Sequence, residues 1–419
     1  MTLLKTINAS DFQPDAAPRP LDEATLAAAE SIVSDVREGG RDALIDYAKK
    51  FDGHVDGQPL LLGRDALTAA KDRLDAADLA LLERVASRVR DFAQGQLNAM
   101  SEMEMPVPGG KAGHSIVPVQ RAGCYAPAGR YALPSTVIMT VVPAVVAGCD
   151  QVVLATPSTS DLMLAAAAVA GADCVLAVGG AQAVAAMAYG FEGFERCDVI
   201  VGPGNRWVTA AKKIVSGDCG IDMLAGPSEL VLVGDESSDP ATVAADLLAQ
   251  AEQDDDARAF LVTTSIDLIQ KVKAELEQQL SVLPTATTAK VALGNGAAVL
   301  CDSVEQVITI CNALAPEHLE LHCNDAQAVA DKIDNAGCMF IGHQSAEVFG
   351  DYGVGPNHTL PTAGTARFSA GLNVFTFVRI RTWLKLETAP QSLIDDTARL
   401  AELEGLIAHQ RSAQKREKA

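Results

Sequence analysis

The sequence predicts two doubly wound α/β domains with mainly parallel sheets, a helical N-terminal segment and a C-terminal helical tail. Three observations carry this. From about residue 115 onward, short β-rich runs alternate with helical ones in two successive series. Ala, Val, Leu and Gly dominate and aromatics make up only 4%, as in strands buried between helices on both faces. At 419 residues, 48% of them apolar, the chain exceeds one ordinary core and can fill two.

Taken in order, residues 22–33 and 79–100 have helical spacing, and the first hundred residues read as helices. Strands are expected at 151–156, 174–179, 199–202 and 230–234, with helices at 135–148, 162–170, 182–189 and 206–215. The second series places strands at 259–264, 298–301, 319–322 and 338–342, with helices near 240–253, 266–279, 303–314 and 325–334. Strand-then-helix alternation implies right-handed crossovers. From about 373 the chain reads as an extended segment, then a helix over 395–414 and a charged, frayed end.

A formal net charge of −21 argues against nucleic acid or an anionic membrane as partner. The longest apolar run, 137–148, is interrupted by Thr140 and Pro143 and is too short to span a bilayer. No N-terminal stretch has the build of a signal peptide. The nine cysteines are scattered without a Cys-x-x-Cys pair. Free thiols in a reducing compartment, the cytoplasm, are expected, with no thiolate metal site.

Glu317 and His318 stand side by side in a short segment, and a carboxylate beside an imidazole suits proton transfer at neutral pH. The same pair also fits a solvated turn before a strand. Gly179-Gly180 and Gly202-Pro203-Gly204 each follow a strand and open a helix, so free N–H groups there can meet an anion. They fit plain turns equally well, although two at successive strand ends lean toward a nucleotide crevice of Rossmann-like type. Asp246, Gln250 and Gln253 share one face of a capped helix, either solvated or turned toward a site. Asp351, Asn357 and His358 lie in a Gly-rich loop that can approach a ligand. His318 and His322 are four apart on a strand, where that spacing does not chelate, so His322 is not expected to hold a metal.

Together these segments resemble the histidinol dehydrogenase family nearly end to end. The resemblance rests on residues 123–129, 178–182, 202–205, 222–229, 247–252, 315–319, 350–362 and 404–409. It implies a zinc-dependent, NAD-linked oxidation of L-histidinol through histidinal to L-histidine. It further implies that Glu317 and His318 are catalytic, and that Tyr125, Gln182 and Asn205 contact NAD. Substrate contacts would come from Ser228, Gln250, Gln253, His318, Asp351, His358, Glu404 and His409. Gln250, Gln253, Asp351 and His409 would hold one divalent metal. Glu404 and His409 would complete the site of a homodimer partner.

One position departs from the family pattern: Gln253 stands where a ligating histidine is usual. An amide oxygen is a poorer zinc donor than imidazole, so Mn²⁺ is expected to compete with Zn²⁺. The same change leaves room for a paralogue oxidising another small polar alcohol, such as a sulfopropanediol, or for a non-catalytic nucleotide-binding protein. The expected division is an N-terminal segment 1–21, a discontinuous catalytic domain 22–124 plus 230–372, an NAD-side domain 125–229, and a tail 373–419 docking on the partner.

Overall fold

The computed structural model describes residues 3–14, 21–128 and 132–416. Gly129, which ends one of the family-like motifs, part of the expected segment 1–21 and the last three residues of the tail lie outside them.

One sheet has six parallel strands in the order Lys5–Asn8, Ala297–Leu300, Arg258–Thr263, Glu229–Gly234, His318–His322 and Cys338–Ile341. The chain steps outward in one direction from Glu229–Gly234, then returns to build on its other side. The strand order therefore reverses between Glu229–Gly234 and His318–His322. Leu230 and Leu232 pack into one apolar cluster with the helices Pro240–Ala251 and Ile266–Leu280. Val231 and Val233 pack into another with the helix Val304–Leu314. This two-sided burial is why these strands read as unbroken apolar runs.

The second sheet runs Leu61–Gly63, Cys174–Leu176, Gln151–Ala155, Arg121–Tyr125, Val199–Val201 and Gly220–Ile221, parallel except for its first, antiparallel edge strand. Its reversal point lies between Arg121–Tyr125 and Val199–Val201, where doubly wound sheets bind ligands beyond the strand C-termini. A third, antiparallel sheet joins Met103–Val107, Gly110–Pro118 and Val378–Leu386.

The α/β class holds, and two details differ. The helical N-terminal part is present as Glu23–Phe51, Arg64–Arg73 and Ala76–Asn98, and the first hundred residues add two short strands, Lys5–Asn8 and Leu61–Gly63. Both are edge strands of three or four residues, too short to show periodicity and paired only through tertiary contact. Val33, Val36 and Leu44 of the helix Glu23–Phe51 pack with the helix Gly180–Tyr189. Leu67, Leu82 and Val89 join the core beneath the helix Pro134–Ala147. Finally, the expected single helix 395–414 is two, Gln391–Leu403 and Ile407–Gln414. Gly405 breaks it with φ +76°, a left-handed conformation that glycine adopts at little cost.

The two parallel sheets meet through a specific bond. Pro143 lies inside the helix Pro134–Ala147 and has no N–H to give the carbonyl four residues earlier. That carbonyl belongs to Met139, fully buried, and it accepts instead from Asn357 Nδ2 at 2.6 Å. The neighbouring His358 lies 3.4 Å from Thr136 Oγ1 on the same helix. The Gly-rich loop of one half is thus anchored on a helix of the other.

Candidate active site

The helix Val304–Leu314 ends at Ala315, whose φ of +47° is left-handed and costly for a residue with a Cβ. This turn, followed by Pro316, delivers Glu317 and His318 to the start of a central strand. The solvated-turn reading is excluded: the two are 6% and 2% exposed. Ser228 Oγ donates to Glu317 Oε2 at 2.7 Å and the Glu229 N–H to the same oxygen at 3.0 Å. Burial nevertheless pushes the Glu317 carboxyl well above its usual range, against these two donors and with the negative charges of Glu229 and Asp351.

Carboxyls surround the His318 ring. Nδ1 lies 3.6 Å from Glu347 Oε1 and 3.8 Å from Glu317 Oε2, and Nε2 lies 3.9 Å from Asp351 Oδ1. Neither ring nitrogen has a hydrogen-bond partner. Burial lowers the imidazole to about 3, so it is neutral with both nitrogens facing acids. Burial raises Asp351 to about 6. It also raises Glu347 well above normal, with Asp351, Glu320 and Glu317 adding to the effect. Among the described residues, no lysine or arginine pairs with Glu317, Glu347 or Asp351. The cluster lacks an internal counter-cation.

The helix Pro240–Ala251 turns its polar face inward. Gln250 is fully buried; its amide lies 3.1 Å from Ser228 Oγ and, in its favoured orientation, donates to both Glu347 oxygens at 3.3 Å. Gln253, two residues past the helix end, donates to Glu347 Oε1 at 3.2 Å and Asp351 Oδ2 at 3.4 Å. The stretches at 250, 317 and 351 therefore share one place. Glu404 and His409 do not reach it within this chain: both are exposed, and neither side chain bonds to the cluster.

On the other sheet, Tyr125 ends one strand of the reversal point and Asn205 follows its neighbour, with Gln182 one helix away. At the first Gly-rich turn both glycine amides are engaged within the chain. Gly179 N donates to Asp52 Oδ2 at 3.1 Å and Gly180 N to the Tyr125 hydroxyl at 3.0 Å. Asn205 Oδ1 caps its own helix through Trp207 N and Val208 N. Gln182 is buried and donates to Asp52 at 3.1 Å. At Gly202, φ +119°, an added Cβ would sit 2.1 Å from the Tyr125 carbonyl oxygen. Gly202 is gripped from both sides: Asp222 Oδ2 accepts from its N–H at 2.7 Å and Lys212 Nζ donates to its carbonyl at 3.0 Å. Lys212 and Asp222 form a buried ion pair beneath it.

The segment 222–229 crosses from one parallel sheet to the other. It carries Asp222 to the Gly202 turn, Gly226 N to Thr362 Oγ1 at 2.6 Å, and Ser228 to Glu317. The Gly202 turn of the second sheet and the acid cluster are thus joined by eight residues.

Sequence reasoning missed Glu347, Asp52, Lys212 and the anchoring role of Asn357. Glu347 and Asp351, four apart, carried a helical-spacing signal, but Glu347 gained meaning only from its distance to His318. The residues present fit a cation: His318, Glu347 and Asp351 place donor atoms within 4.8 Å of one another. Gln250 and Gln253 turn their amide N–H groups toward Glu347 and Asp351, and each would offer its oxygen to a cation only after the amide turns over.

Comparison with known proteins follows the same outline. The histidinol dehydrogenase family profile matches residues 18–417. The chain is 42% identical to a histidinol dehydrogenase of Pseudomonas fluorescens strain Pf0-1, covering 92% of this chain and 89% of that protein. It is 44% identical to one of Parasynechococcus marenigrum, with 92% and 89% covered. The crystal structure of histidinol dehydrogenase from Elizabethkingia anophelis superposes with a TM-score of 0.91 at 33% identity, covering 99% of this chain and 98% of that one.

Proposed function

The chain belongs to the histidinol dehydrogenase family, NAD-linked oxidoreductases of histidine biosynthesis, and from that premise we propose that the acid–imidazole cluster around His318 is where L-histidinol is oxidised through the aldehyde to L-histidine. One observation carries the assignment: a buried group of carboxyls with which, among the described residues, no lysine or arginine pairs. Such a group favours a cationic guest, and the substrate's ammonium and a divalent metal both answer that need.

His318, neutral and with unpartnered nitrogens, takes the hydroxyl proton. The flanking carboxyls then stabilise the imidazolium. Glu317, oriented by Ser228 and the Glu229 N–H, activates the water that adds to the aldehyde before the second oxidation. A bound cation favours its ionised form. Asp351, Gln250 and Gln253 hold the metal and substrate, His358 lines the same loop, and a second copy of the chain supplies Glu404 and His409. Leu400, Leu403 and Ile407 beside them are 60%, 65% and 45% exposed, an apolar surface suited to docking on that copy. A metal held there would supply Lewis-acid polarisation of the reacting oxygen and a fixed point for orienting the substrate. Tyr125, Gln182 and Asn205 would hold NAD, which would supply the hydride acceptor. The oxygen-rich donor set suits Mn²⁺ as well as Zn²⁺. The nine free thiols fit the cytoplasm.

The replacement at Gln253 favours a second reading, a changed alcohol. An anionic sulfonate fits poorly against these acids, so other amino alcohols are the better comparison. The test is NADH formation from L-histidinol with Zn²⁺ or Mn²⁺ present, alongside a panel of alcohols. Two NADH per L-histidinol is expected. No turnover of L-histidinol at saturating NAD with either ion refutes the proposal.

A further inference from the structure

We propose that Asp246, Glu320 and His322 form a second divalent-cation site, sharing no residue with the ligand set assigned above. Glu320 and His322 are two apart on the central strand His318–His322, so they point to the same face. Asp246 comes from the helix Pro240–Ala251, one turn before Gln250, and meets them from above. The location is the C-terminal end of the strands where the first sheet reverses its order, a place where such sheets bind ligands.

The three donor atoms lie within 4.8 Å of one another. His322 Nε2 is 3.7 Å from Asp246 Oδ2 and 3.7 Å from Glu320 Oε2. All three atoms are buried and without a hydrogen-bond partner, and Glu320 and His322 are 0% and 1% exposed. A buried polar atom left unpaired is costly, and three converging on one point share a single remedy. An ion about 2.0–2.2 Å from each donor sets adjacent donors roughly 3.3 Å apart in tetrahedral geometry. The two separations from His322 need only a few tenths of an ångström of closure, and the Asp246 and Glu320 oxygens lie within 4.8 Å of each other.

The surroundings agree. Among the described residues no lysine or arginine pairs with these acids. Burial raises Asp246 to about 6 and Glu320 to about 8, and burial and then His343 lower His322 to about 4. Charge is disfavoured there until a cation brings its own. The other oxygen of Glu320 accepts from the Glu347 N–H, an outer bond of the kind that orients a ligating carboxylate. One imidazole nitrogen and two carboxylate oxygens suit Zn²⁺, Mn²⁺ or Co²⁺. Such an ion would tie the strand carrying His318 to the helix carrying Gln250.

The test uses the full-length chain carrying Asp351→Asn, which disables the family-type set. After stripping and equilibrium dialysis against Zn²⁺, metal is measured per chain, and Co²⁺ loading is followed by its visible absorption. One retained ion per chain is expected, with a Co²⁺ band and a higher melting temperature. Adding Asp246→Asn or His322→Gln should remove the ion, the band and the temperature shift together. Asp246 is the safer substitution, its side chain being 12% exposed, if the strand variant does not fold. No ion in the Asp351→Asn chain overturns the proposal, as does an ion retained when Asp246→Asn is added. Turnover of L-histidinol by the unmodified chain is read separately, so failure of this site leaves the catalytic assignment standing.

Discussion

Replacing Glu317 by Gln separates the two oxidations. Both hydrogen bonds to this carboxyl, from Ser228 Oγ at 2.7 Å and Glu229 N at 3.0 Å, fall on Oε2 alone. A single amide oxygen can accept both, so the fold should lose no more than about 1 kcal/mol. What disappears is the capacity to take a proton from water. General-base catalysis contributes about 10²–10⁴-fold, which corresponds to roughly 3–5 kcal/mol of barrier. That loss should fall on the aldehyde-to-acid half, while His318 still serves the alcohol half. Stopped-flow NADH formation reads the difference: two equivalents per L-histidinol in the parent chain, one fast and one slow in the variant. Feeding the aldehyde directly should expose the full defect. Equal slowing of both halves, or a second half as fast as in the parent, refutes the assignment of the water-activating base to Glu317.

Other perturbations test neighbouring parts of the structure. Gln253→His places an imidazole beside Glu347 and Asp351, and zinc affinity should rise by about tenfold or more; an unchanged Zn²⁺-to-Mn²⁺ preference in competitive dialysis counts against Gln253 as a ligand. Asn357→Leu strands the buried Met139 carbonyl and should cost about 1–3 kcal/mol in denaturant melts. In a Pro143→Ala background the helix regains its own donor, so the two changes should couple by at least about 0.5 kcal/mol, and strict additivity would deny the anchor. Gly202→Ala meets a positive φ worth about 1–2 kcal/mol and a clash with Tyr125 worth about 1–3 kcal/mol more; both a lower melting temperature and a raised KM for NAD are expected. The metal-free protein should lose stability as pH rises from 6.5 to 8. Burial raises Glu320 to about 8 and Glu317 and Glu347 well above normal, so their contribution is full below the unfolded pKa and fades as each ionises. The lowered His318, His322 and His358 act in the opposite sense, but only below 6.5. A flat or rising melting temperature across that window, in chelator, contradicts the burial of these acids.

Local signals made most of the architecture legible. The strands at 229–234, 258–263 and 318–322 and the helices at 206–215 and 266–280 stand within a residue or two of their expected places, because periodicity and caps act over a few residues. The family motifs carried Glu317, His318 and Asp351 to one place for the same reason: each is a short, contiguous string. Edge strands, the antiparallel hairpin at 103–118 and the break at Gly405 were not legible, since pairing and bending there depend on distant partners.

The sequence by itself determined the fold class and the family, and it singled out Glu317 and His318 as the proposed proton-transfer pair. Only the tertiary structure decided their chemistry. Desolvation of Glu317 and His318 comes from elements far apart in the chain, and so do the encirclement of His318 by Glu347 and Asp351 and the filling of the Gly179–Gly180 turn by Asp52 and Tyr125. His322 shows the difference most plainly. Its spacing from His318 on a strand gave no chelating pair, yet a turn of the helix at Asp246 and a neighbour two residues back, Glu320, place three unpartnered donors around one point. Burial and through-space distance are properties of packing, and no window along the chain contains them.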